Sequence, residues 1–441
     1  MRAREAYVHM HLGGEFILAG RLRHYEDGRF SRCLFEYTNR YLDRKDAVPV
    51  DPVQLPLRKE HTFEGPEGGT LFGGIRDACP DDWGRHVLDT AAEGSGFTLS
   101  EFDYMLYAGP DRVGALGFSL DPGSPAFSDV PKWTANLPGT ELDLEGMLEA
   151  ADTVEAAESL SPSYRRFFVR GSSALGGARP KASVEMDGQQ WIAKFSKERE
   201  AWPTCRIEQA NLELAGLCGI EVPATRRVTV FGDRDIFLIQ RFDRDLKQKH
   251  SQRIPFVSAM TLTGRQDLGE PTSYGDIVTA MRRDFYQADT VREDIAQLYR
   301  RMAFNVFCNN SDDHARNHGF LFDLGSRRWH LSPAYDVVPQ PVMEDSARML
   351  HLGIGPEGRI ASISNLRAAG RAFGLSEDRV SAILEEVRGT IRQNWERVYS
   401  GAGVDRRHFN ELRNCFDLAL TQDLNNSPAE EIFPSPRPRQ G

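Results

Sequence analysis

The sequence predicts an α+β fold made of a small N-terminal α+β subdomain, a strand-rich lobe and a mainly helical C-terminal lobe. Three observations indicate this architecture. Alternating segments separated by glycine turns open the chain, a second group of strand-like segments surrounds one helical pattern, and long helical patterns fill the C-terminal part. The length of 441 residues exceeds that of one compact domain, which agrees with several packed units.

The first unit is predicted to cover residues 1–125 and to begin with an antiparallel β-meander. The segments EAYVHMHL, EFILAGRLRHYE and RFSRCLFEY alternate between apolar and polar residues, as strands do. Gly13-Gly14 and Asp27-Gly28 separate them, and such pairs favour tight hairpin turns.

Helices complete this first unit. DWGRHVLDTAA follows Pro80 with helical periodicity, and SEFDYMLYAG begins with a residue typical of a helix N-cap. A stretch rich in Pro, Gly and Ser then covers residues 121–139. We therefore predict a linker and a helix, ELDLEGMLEAADTV, at 126–160.

The strand-rich lobe is predicted at 161–265. KASVEM and QQWIAKF form a hairpin pattern around Asp187-Gly188, and the helical segment IEQANLELAGLCG ends at Gly219. Two further strand-like segments, TRRVTVF and DIFLIQRF, follow. Strands on both sides of one helix favour a lobe built on a sheet.

The helical lobe is predicted at 266–426, with a disordered tail at 427–441. Its helical patterns are YGDIVTAMRR, VREDIAQLYRRMAFNVFCNN and EDRVSAILEEVRGTIRQNWERVY. A strand-rich lobe followed by a helical lobe is the two-lobe plan of protein kinases, although a fold pattern alone does not define a function. The predicted fold class is therefore a two-lobed, protein-kinase-like α+β fold.

Charge and composition argue against some partners. The net charge of -10 and the pI near 5.7 are unfavourable for a surface that coats DNA or anionic membranes. No apolar run reaches the roughly 18 residues of a membrane span, and the N-terminus lacks a signal-peptide core, so we expect a cytoplasmic protein. The cysteines show no C-x-x-C pair, and most of them are expected to be buried, small apolar residues in a reducing compartment. They are Cys33, Cys79, Cys205, Cys218, Cys308 and Cys415.

The densest polar cluster is NNSDDHARNHG at 309–319, directly after an apolar helix. In kinase catalytic loops, an Asp accepts the proton of the substrate hydroxyl and an Asn five positions later holds Mg²⁺. Asp312 and Asn317 have this spacing. A predicted hairpin, GFLFDL and WHLSPAYD around Gly325-Ser326, returns the chain and supplies Asp336 as a second Mg²⁺ ligand.

Two other interpretations of this cluster stay open. Asx-rich segments after helices often serve only as caps and turns. His314 and His318 have the i, i+4 spacing of zinc ligands, although HARNH lacks the Glu that a metalloprotease carries after its first His.

A second candidate site is the glycine-rich loop GSSALGGARPK at 171–181, which runs into a strand. Glycines let backbone N–H groups approach phosphate, and Arg179 and Lys181 add positive charge. The loop matches neither a Walker A motif nor the G-x-G-x-x-G of kinases. A mobile surface loop is the alternative.

Lys194 lies in an apolar strand, WIAKF, where an ammonium group needs an anion such as an ATP phosphate. Glu208, on the following helix, is suited to orient it. The segment FLIQRFDR, with Gln240 and Phe242, suits a hinge whose backbone binds adenine. Each feature has an alternative explanation. Lys194 could lie on the outer face of an edge strand, Glu208 could be an exposed helix carboxylate, and FLIQRFDR could be a plain strand end.

In this order, the motifs resemble the HipA family of toxin kinases over nearly the whole chain. CPDDWG at 79–84 looks like a PDGWG-type element of the family's N-terminal subdomain, and GGARPK at 176–181 resembles its phosphate loop. QRFDR at 240–244 is similar to its hinge, and RIPFVSAMTLTG at 253–264 to the segment that follows it. SDDHARNHGFLF and AYD resemble its catalytic and metal motifs.

The resemblance implies an ATP- and Mg²⁺-dependent serine/threonine protein kinase. Asp312 would be the catalytic base, Lys194 would contact the ATP phosphates, and Asn317 and Asp336 would bind Mg²⁺. The implied nucleotide-binding residues are Gly176, Gly177, Ala178, Arg179, Lys181, Lys194, Glu208, Gln240, Phe242, His314 and Asn317.

The resemblance also implies partners. Members of the family pair with a HipB-type helix-turn-helix antitoxin, so contact with DNA would be indirect, through that antitoxin. Their known targets are aminoacyl-tRNA synthetases, notably glutamyl-tRNA synthetase, and phosphorylation of such an enzyme slows translation. A non-catalytic corepressor that binds the antitoxin is the alternative function.

Two positions depart from the family pattern. Ala174 occupies the place of a serine that well-known members autophosphorylate, and Ser173 and Ser172 are the remaining candidates in this loop. Gln240 stands where some relatives have Glu, a change that a backbone contact to adenine would tolerate.

Overall fold

The computed structural model describes most of the chain. The described residues are 2–27, 30–66, 71–93, 96–124, 143–156, 177, 179–198, 200–245, 252–283, 288–342 and 347–421. Most of the predicted linker and all of the predicted tail lie outside them. In the described part of the chain, no helix is both long and apolar enough to cross a membrane.

The N-terminal unit contains a five-stranded antiparallel sheet in the order β4-β3-β2-β1-β5. Its strands are β1 (Arg2–Leu12), β2 (Glu15–Asp27), β3 (Phe30–Tyr37), β4 (Phe63–Glu64) and β5 (Leu116–Ser119). Gly13 and Gly14 connect β1 to β2 with φ angles of 61° and 89°, a backbone region that glycine adopts without steric cost. The predicted meander of β1, β2 and β3 is confirmed.

The N-terminal unit also contains four helices: α1 (Asn39–Leu42), α2 (Gly73–Asp77), α3 (Asp82–Ala92) and α4 (Glu101–Tyr107). Ser100 caps α4 as predicted, and its capping box is completed by Asp103. Asp103 also accepts two hydrogen bonds from Arg4 of β1, at 3.0 and 2.5 Å. These bonds fix α4 against the sheet.

A second antiparallel sheet has the order β6-β7-β9-β8. Its strands are β6 (Lys181–Met186), β7 (Gln189–Phe195), β8 (Thr225–Val230) and β9 (Arg234–Gln240). The predicted turn at Asp187-Gly188 is confirmed, with φ angles of 53° and 67° as in a type I′ hairpin. Helix α5 (Leu144–Glu155) precedes the sheet in sequence and helix α6 (Thr204–Leu217) connects β7 to β8.

The core of this second sheet includes part of the N-terminal unit. Trp83 and Val87 of α3 are buried together with α5 and with apolar residues of β6, β7 and β9. Helix α3 therefore packs against the strand-rich lobe as well as against its own unit.

The C-terminal part combines short strands with long helices. The strands are β10 (Arg244–Asp245), β11 (Gln252–Arg253), β12 (Phe256–Ser258), β13 (Gly319–Asp323) and β14 (Arg328–Leu331). The helices are α7 (Ala259–Leu262), α8 (Tyr274–Met281), α9 (Ala288–Cys308), α10 (Ile363–Ala372), α11 (Glu377–Gly401), α12 (Phe409–Cys415) and α13 (Asp417–Leu420). The predicted β13–β14 hairpin is confirmed, and β12 joins it to form a three-stranded sheet.

The largest apolar core is continuous from the N-terminal sheet to the helical lobe. Helix α9 is central in it, since Leu298, Met302 and Phe307 are fully buried. All six cysteines are buried and unpaired, as the sequence predicts. The chain leaves α9 directly into the polar cluster, so this core fixes the start of the candidate site.

Candidate active site

The candidate site is centred on Lys194, whose ammonium group lies between two carboxylates. Lys194 of β7 contacts Glu208 of α6 at 2.5 Å and Asp336, after β14, also at 2.5 Å. The side chains of Lys194 and Glu208 are 8% and 1% exposed, whereas that of Asp336 is 40% exposed. The strand-rich lobe thus contributes two buried groups, and the helical lobe contributes one that faces solvent.

Lys194 and Asp336 favour the charged form of each other. Burial alone would lower the pKa of Lys194, but the charges of Asp336 and Glu208 raise the pKa above its ordinary value. Burial alone would raise the pKa of Asp336, but Lys194 and Lys181 hold the pKa well below its ordinary range. For Glu208 burial dominates, and the pKa is raised. Asp336 is therefore the reliably ionised carboxylate on the open side.

Lys181 places a second cation beside this group. It lies opposite Lys194 in the register of β6 and β7, so both side chains project from the same face of the sheet. Lys181 is 5% exposed, and burial lowers its pKa. Its charge still acts on Asp336. Two ammonium groups on one sheet face are suited to an anion with several charges.

Asp336 is held in an unusual backbone conformation. Its φ is 58°, in the left-handed region that Asp tolerates better than most residues. On one side, the hydroxyl of Tyr335 donates to the carbonyl of Arg316 at 2.5 Å. On the other side, Asn211 donates to the carbonyl of Val337 at 3.0 Å. The first bond joins the Asp336 segment to the segment that contains Asn317, and the second joins it to α6.

The polar cluster begins where α9 ends. Asn309 has a φ of 54°, which terminates the helix. Its carbonyl accepts from the N–H of Gln340 at 3.0 Å, and its amide Nδ2 donates to the Gln340 carbonyl at 2.7 Å. This clamp joins the start of the cluster to the segment after Asp336.

Asp312 and Asp313 differ in environment although they are neighbours. Asp312 is exposed, and its backbone carbonyl accepts from Nδ2 of Asn317 at 3.3 Å. Asp313 is 1% exposed and accepts from the hydroxyl of Tyr274 and, at 2.9 Å, from Nε2 of His318. Asp313 therefore anchors the loop, while Asp312 is accessible to a substrate.

His314 and His318 do not share an α-helix, because a single 3-10 turn, Ala315–Asn317, separates them. The His318 ring bonds to Asp313, and the His314 ring packs edge-on against His351 with centroids 5.9 Å apart. Burial lowers the pKa of His314. Among the described residues, no group of three or more His, Cys, Asp or Glu side chains could hold a metal, so the zinc interpretation gains no support.

The glycine-rich loop is described only in part. Gly176, Ala178, Ser173 and Ser172 lie outside the described residues. Gly177 has a φ of 90°, and a side chain there would collide with Nζ of Lys181. The loop thus approaches Lys181 closely.

Two loop residues have protein partners. The N–H of Gly177 donates to Asp81 of the N-terminal unit, and Arg179 forms an ion pair with Glu200. The sequence predicts a phosphate-binding role for both residues and indicates neither protein partner.

Gln240 and Phe242 lie where β9 ends. The amide N–H of Gln240 donates to the carbonyl of Ala224 at 2.9 Å, and its side chain donates to Gln189 at 2.8 Å. The Phe242 ring lies 5.7 Å from that of Tyr335, measured between centroids. Phe242 therefore lies beside the segment that carries Asp336.

Between them, Arg241 begins a buried ionic cluster that sequence reasoning missed. Arg241 donates to both carboxylate oxygens of Asp243, at 2.9 and 2.8 Å, and Arg244 donates to the same group at 2.7 Å. Asp243 also accepts from the N–H of Gly114 at 2.8 Å, and both arginines donate to the carbonyl of Arg112. The alternating charges of QRFDR were the available signal, but an exposed strand end explains such a pattern equally well.

The donor set fits the nucleotide and metal that the motifs imply. Mg²⁺ in phosphoryl-transfer sites is held by one or two protein oxygen ligands together with phosphate oxygens, so no cage of three side chains is needed. Asp336 is ionised and half-exposed, and the neighbouring Asn317 carries a carboxamide oxygen. Lys181 and Lys194 supply positive charge for phosphate.

Comparison with known proteins then identifies the class. Residues 9–119 match the model of the HipA N-terminal domain, and residues 173–395 match that of the HipA-like C-terminal domain. The second match alone spans half of the chain. The chain belongs to the HipA family.

Individual relatives are distant. Putative kinase Y4mE of Sinorhizobium fredii is 23% identical over 349 residues, which cover 75% of this chain and 77% of that protein. A protein of Haemophilus influenzae named Putative kinase is 26% identical over 165 residues. That match covers 35% of this chain and 46% of the relative, so this chain spans about half of its length.

A solved structure supports the fold. HipA of Shewanella oneidensis MR-1, solved in a complex with HipB and operator DNA, superposes with a TM-score of 0.65. The match has 18% sequence identity and covers 94% of this chain and 96% of that one. The predicted kinase-like α+β fold class is thereby confirmed as the HipA fold.

Proposed function

We propose that the protein is an ATP- and Mg²⁺-dependent serine/threonine protein kinase. The observation that carries the proposal is the position of Lys194, between buried Glu208 and half-exposed Asp336. Kinases need a lysine oriented by a helix carboxylate and an acidic metal ligand on the opposite lobe. The names of the two curated relatives support the same reaction class.

Each lobe would have its own task. Lys194 and Lys181 bind the phosphates from the strand-rich lobe, and Phe242 and the backbone at Gln240 contact the adenine. Asp336 and Asn317 would hold Mg²⁺, and the bound ion would supply positive charge to the phosphates. His314 lies near these ligands, and burial lowers its pKa, which favours the neutral ring.

Asp312 would act on the protein substrate. Its carboxylate is exposed, so it can accept the proton of a serine or threonine hydroxyl and orient that hydroxyl for attack. The anchor at Asp313 and the bond between Asn317 and the Asp312 backbone hold it in place. Most of the rate acceleration then comes from positioning and electrostatics.

The biological setting follows from the family. The complex of the Shewanella protein with HipB and operator DNA supports a HipB-like helix-turn-helix partner here, with DNA contacted through that partner. We propose a cytoplasmic protein substrate, in the first instance glutamyl-tRNA synthetase. Its phosphorylation would slow translation and growth.

The test is phosphoryl transfer from labelled ATP in host lysate and to purified glutamyl-tRNA synthetase, with and without Mg²⁺. Wild-type protein should label a distinct band only with Mg²⁺. Asp312→Asn should reduce labelling by on the order of 10³-fold and still bind ATP. The matched control is Asp378→Asn, an exposed aspartate in the first turn of α11, which should behave as wild type.

The outcomes separate the proposals. Undiminished labelling by Asp312→Asn would remove that residue from its role. A wild-type protein without Mg²⁺-linked ATP binding would contradict the kinase proposal and favour a corepressor that only binds the antitoxin. A labelled band other than the synthetase would retain the kinase and replace the substrate.

A further inference from the structure

Asp81 lies at the N-cap position of α3 but does not cap its own helix. An aspartate there normally accepts a hydrogen bond from an N–H group in the first helical turn. Instead, one carboxylate oxygen accepts the N–H of Gly177, and the other accepts Nη1 of Arg316 at 2.8 Å. The side chain therefore joins two segments that are far apart in sequence.

Those two segments form opposite sides of the candidate site. Gly177 belongs to the loop that approaches Lys181, on the side of the strand-rich lobe. Arg316 lies in the 3-10 turn just before Asn317, on the side of the helical lobe, and its carbonyl holds Tyr335. One carboxylate of the N-terminal unit thus contacts both segments.

Residues next to Asp81 strengthen this connection on the strand-rich side. The N–H of Trp83 donates to the Gly177 carbonyl at 3.1 Å, and its indole donates to the Lys181 carbonyl at 3.0 Å. The Trp83 ring is buried in the core of that lobe. The N–H and the C=O of Gly177 are therefore both hydrogen-bonded to residues at the start of α3.

A second set of contacts joins the same segment to the end of β12 and to the residues that follow α7, where the helical lobe begins. Asp77 accepts the N–H and the hydroxyl of Ser258 at 2.6 and 2.8 Å. Arg76 donates to the carbonyls of Arg265 and Gln266 at 2.9 and 2.8 Å. Residues 76–83 therefore contact both lobes, and Asp81 contacts both with one side chain.

We propose that Asp81 is a positioning residue, which sets the spacing between the glycine-rich loop at Gly177 and the polar cluster at Arg316. This inference rests on the proposed function. The side chains of Asp81 and Arg316 are 22% and 29% exposed, so their ion pair contributes little to stability. Its effect is on geometry. A displacement of about 1 Å at a reacting centre can reduce the rate by about 100-fold.

The test compares Asp81→Asn and Asp81→Ala with Asp82→Asn, an exposed aspartate one position further along the same helix. Asp81→Asn retains an acceptor for Gly177 and loses the charge for Arg316. It should lower kcat about 10-fold with little change in the KM for ATP. Asp81→Ala loses both contacts and should also raise that KM, whereas Asp82→Asn should match wild type.

Hydrogen–deuterium exchange of the nucleotide-free protein gives a readout that does not depend on activity. The peptide containing Gly177 should exchange faster in Asp81→Ala, because the Gly177 N–H loses its acceptor, and should stay protected in Asp82→Asn. In kinetics, Asp81→Ala combined with Arg316→Gln should lose less than the product of the single losses, because the two residues act as one contact.

Three results would overturn the inference: equal kcat for Asp81→Asn and Asp82→Asn, unchanged exchange at the Gly177 peptide in Asp81→Ala, or strictly multiplicative losses in the double variant. If Asp81→Ala does not fold, the isosteric Asp81→Asn decides by its kcat. Absence of phosphoryl transfer by the wild-type protein would contradict the proposed function. The role of Asp81 in holding Gly177 would then be decided by the exchange measurement.

Discussion

The protein contains two largely buried ionic groups, and they differ in how far their charges are paired within the protein. In the first, Lys194 and Glu208 are buried while Asp336 is 40% exposed. In the second, Arg241, Asp243 and Arg244 are all nearly inaccessible, with side-chain exposures of 0, 6 and 5%. The first group is open to solvent at Asp336, and the second is enclosed by contacts with the N-terminal unit.

The difference concerns what each group lacks. Asp243 accepts hydrogen bonds from two arginines and from Gly114, and the arginines donate further to carbonyls, so the second group is satisfied within the protein. The first group ends at Asp336, which is ionised, half-exposed and in a left-handed conformation. A closed group serves the structure, whereas an open group of this kind is typical of a functional site.

The largest effect on phosphoryl transfer is expected for Asp336→Asn in the first group. Loss of the proposed Mg²⁺ ligand should lower phosphoryl transfer by on the order of 10³-fold. Stability should fall much less than in Asp243→Asn, because the Asp336 side chain is 40% exposed and Lys194 keeps Glu208 as its partner. Labelled-ATP assays and thermal melts of the same preparation measure both quantities. Transfer within threefold of wild type would contradict the assignment of Asp336.

The opposite result is expected for Asp243→Asn. Removal of this carboxylate leaves Arg241 and Arg244 buried with their charges uncompensated, and breaking such a buried pair costs about 3–5 kcal/mol. Urea unfolding should show this loss, while transfer per folded molecule should fall far less than in Asp336→Asn. A loss of stability below 1 kcal/mol would show that the two groups are less different than their burial indicates.

The pH dependence of stability should distinguish Asp243 from its variant. Burial alone would raise the pKa of Asp243, but Arg241 and Arg244 hold the pKa far below its ordinary range. A depressed carboxyl pKa stabilises the fold above the unfolded pKa, about 3.9, and this contribution is lost as the pH falls below it.

Wild type and Asp243→Asn should therefore differ by a constant free energy of unfolding from pH 7 to about 5. Below about pH 4 the difference should shrink, by at most about 1.4 kcal/mol per pH unit for one group. Urea titrations at pH 7, 5, 4 and 3 measure it. A difference that stays constant down to pH 3 would contradict the depressed pKa.

Much of the fold could be predicted from local signals. Asp187-Gly188 favours a hairpin, because a type I′ turn needs positive φ at both positions and these two residues tolerate it. The Ser100 cap starts α4 by its own hydrogen bonds. Long periodic segments such as α9 and α11 are similarly determined by their own pattern. The packing of Trp83 into the second sheet could not be predicted, because it depends on contacts about a hundred residues away.

The same limit applies to the site. Asp312, Asn317 and Asp336 are predicted as site residues from spacing and from a hairpin that returns the chain, both of which are local features. Asp81 was not found, because a Pro-Asp pair before a helix already has a sufficient explanation as an N-cap. Its actual partners belong to two other segments, and no periodicity within residues 79–84 indicates them.

The smallest effect is expected at Phe242, which lies between Arg241 and Asp243 in the sequence and packs against Tyr335, the neighbour of Asp336. Its ring is partly buried, 5.7 Å from that of Tyr335, on the side of the hinge where the adenine is proposed to bind. Phe242→Leu keeps apolar bulk but loses the aromatic face, so the KM for ATP should rise about 3- to 10-fold while kcat stays near wild type. Phe231→Leu, at an exposed turn after β8, is the matched control. An unchanged KM would place the adenine elsewhere, whereas a loss of stability as large as that of Asp243→Asn would assign Phe242 to the enclosed group.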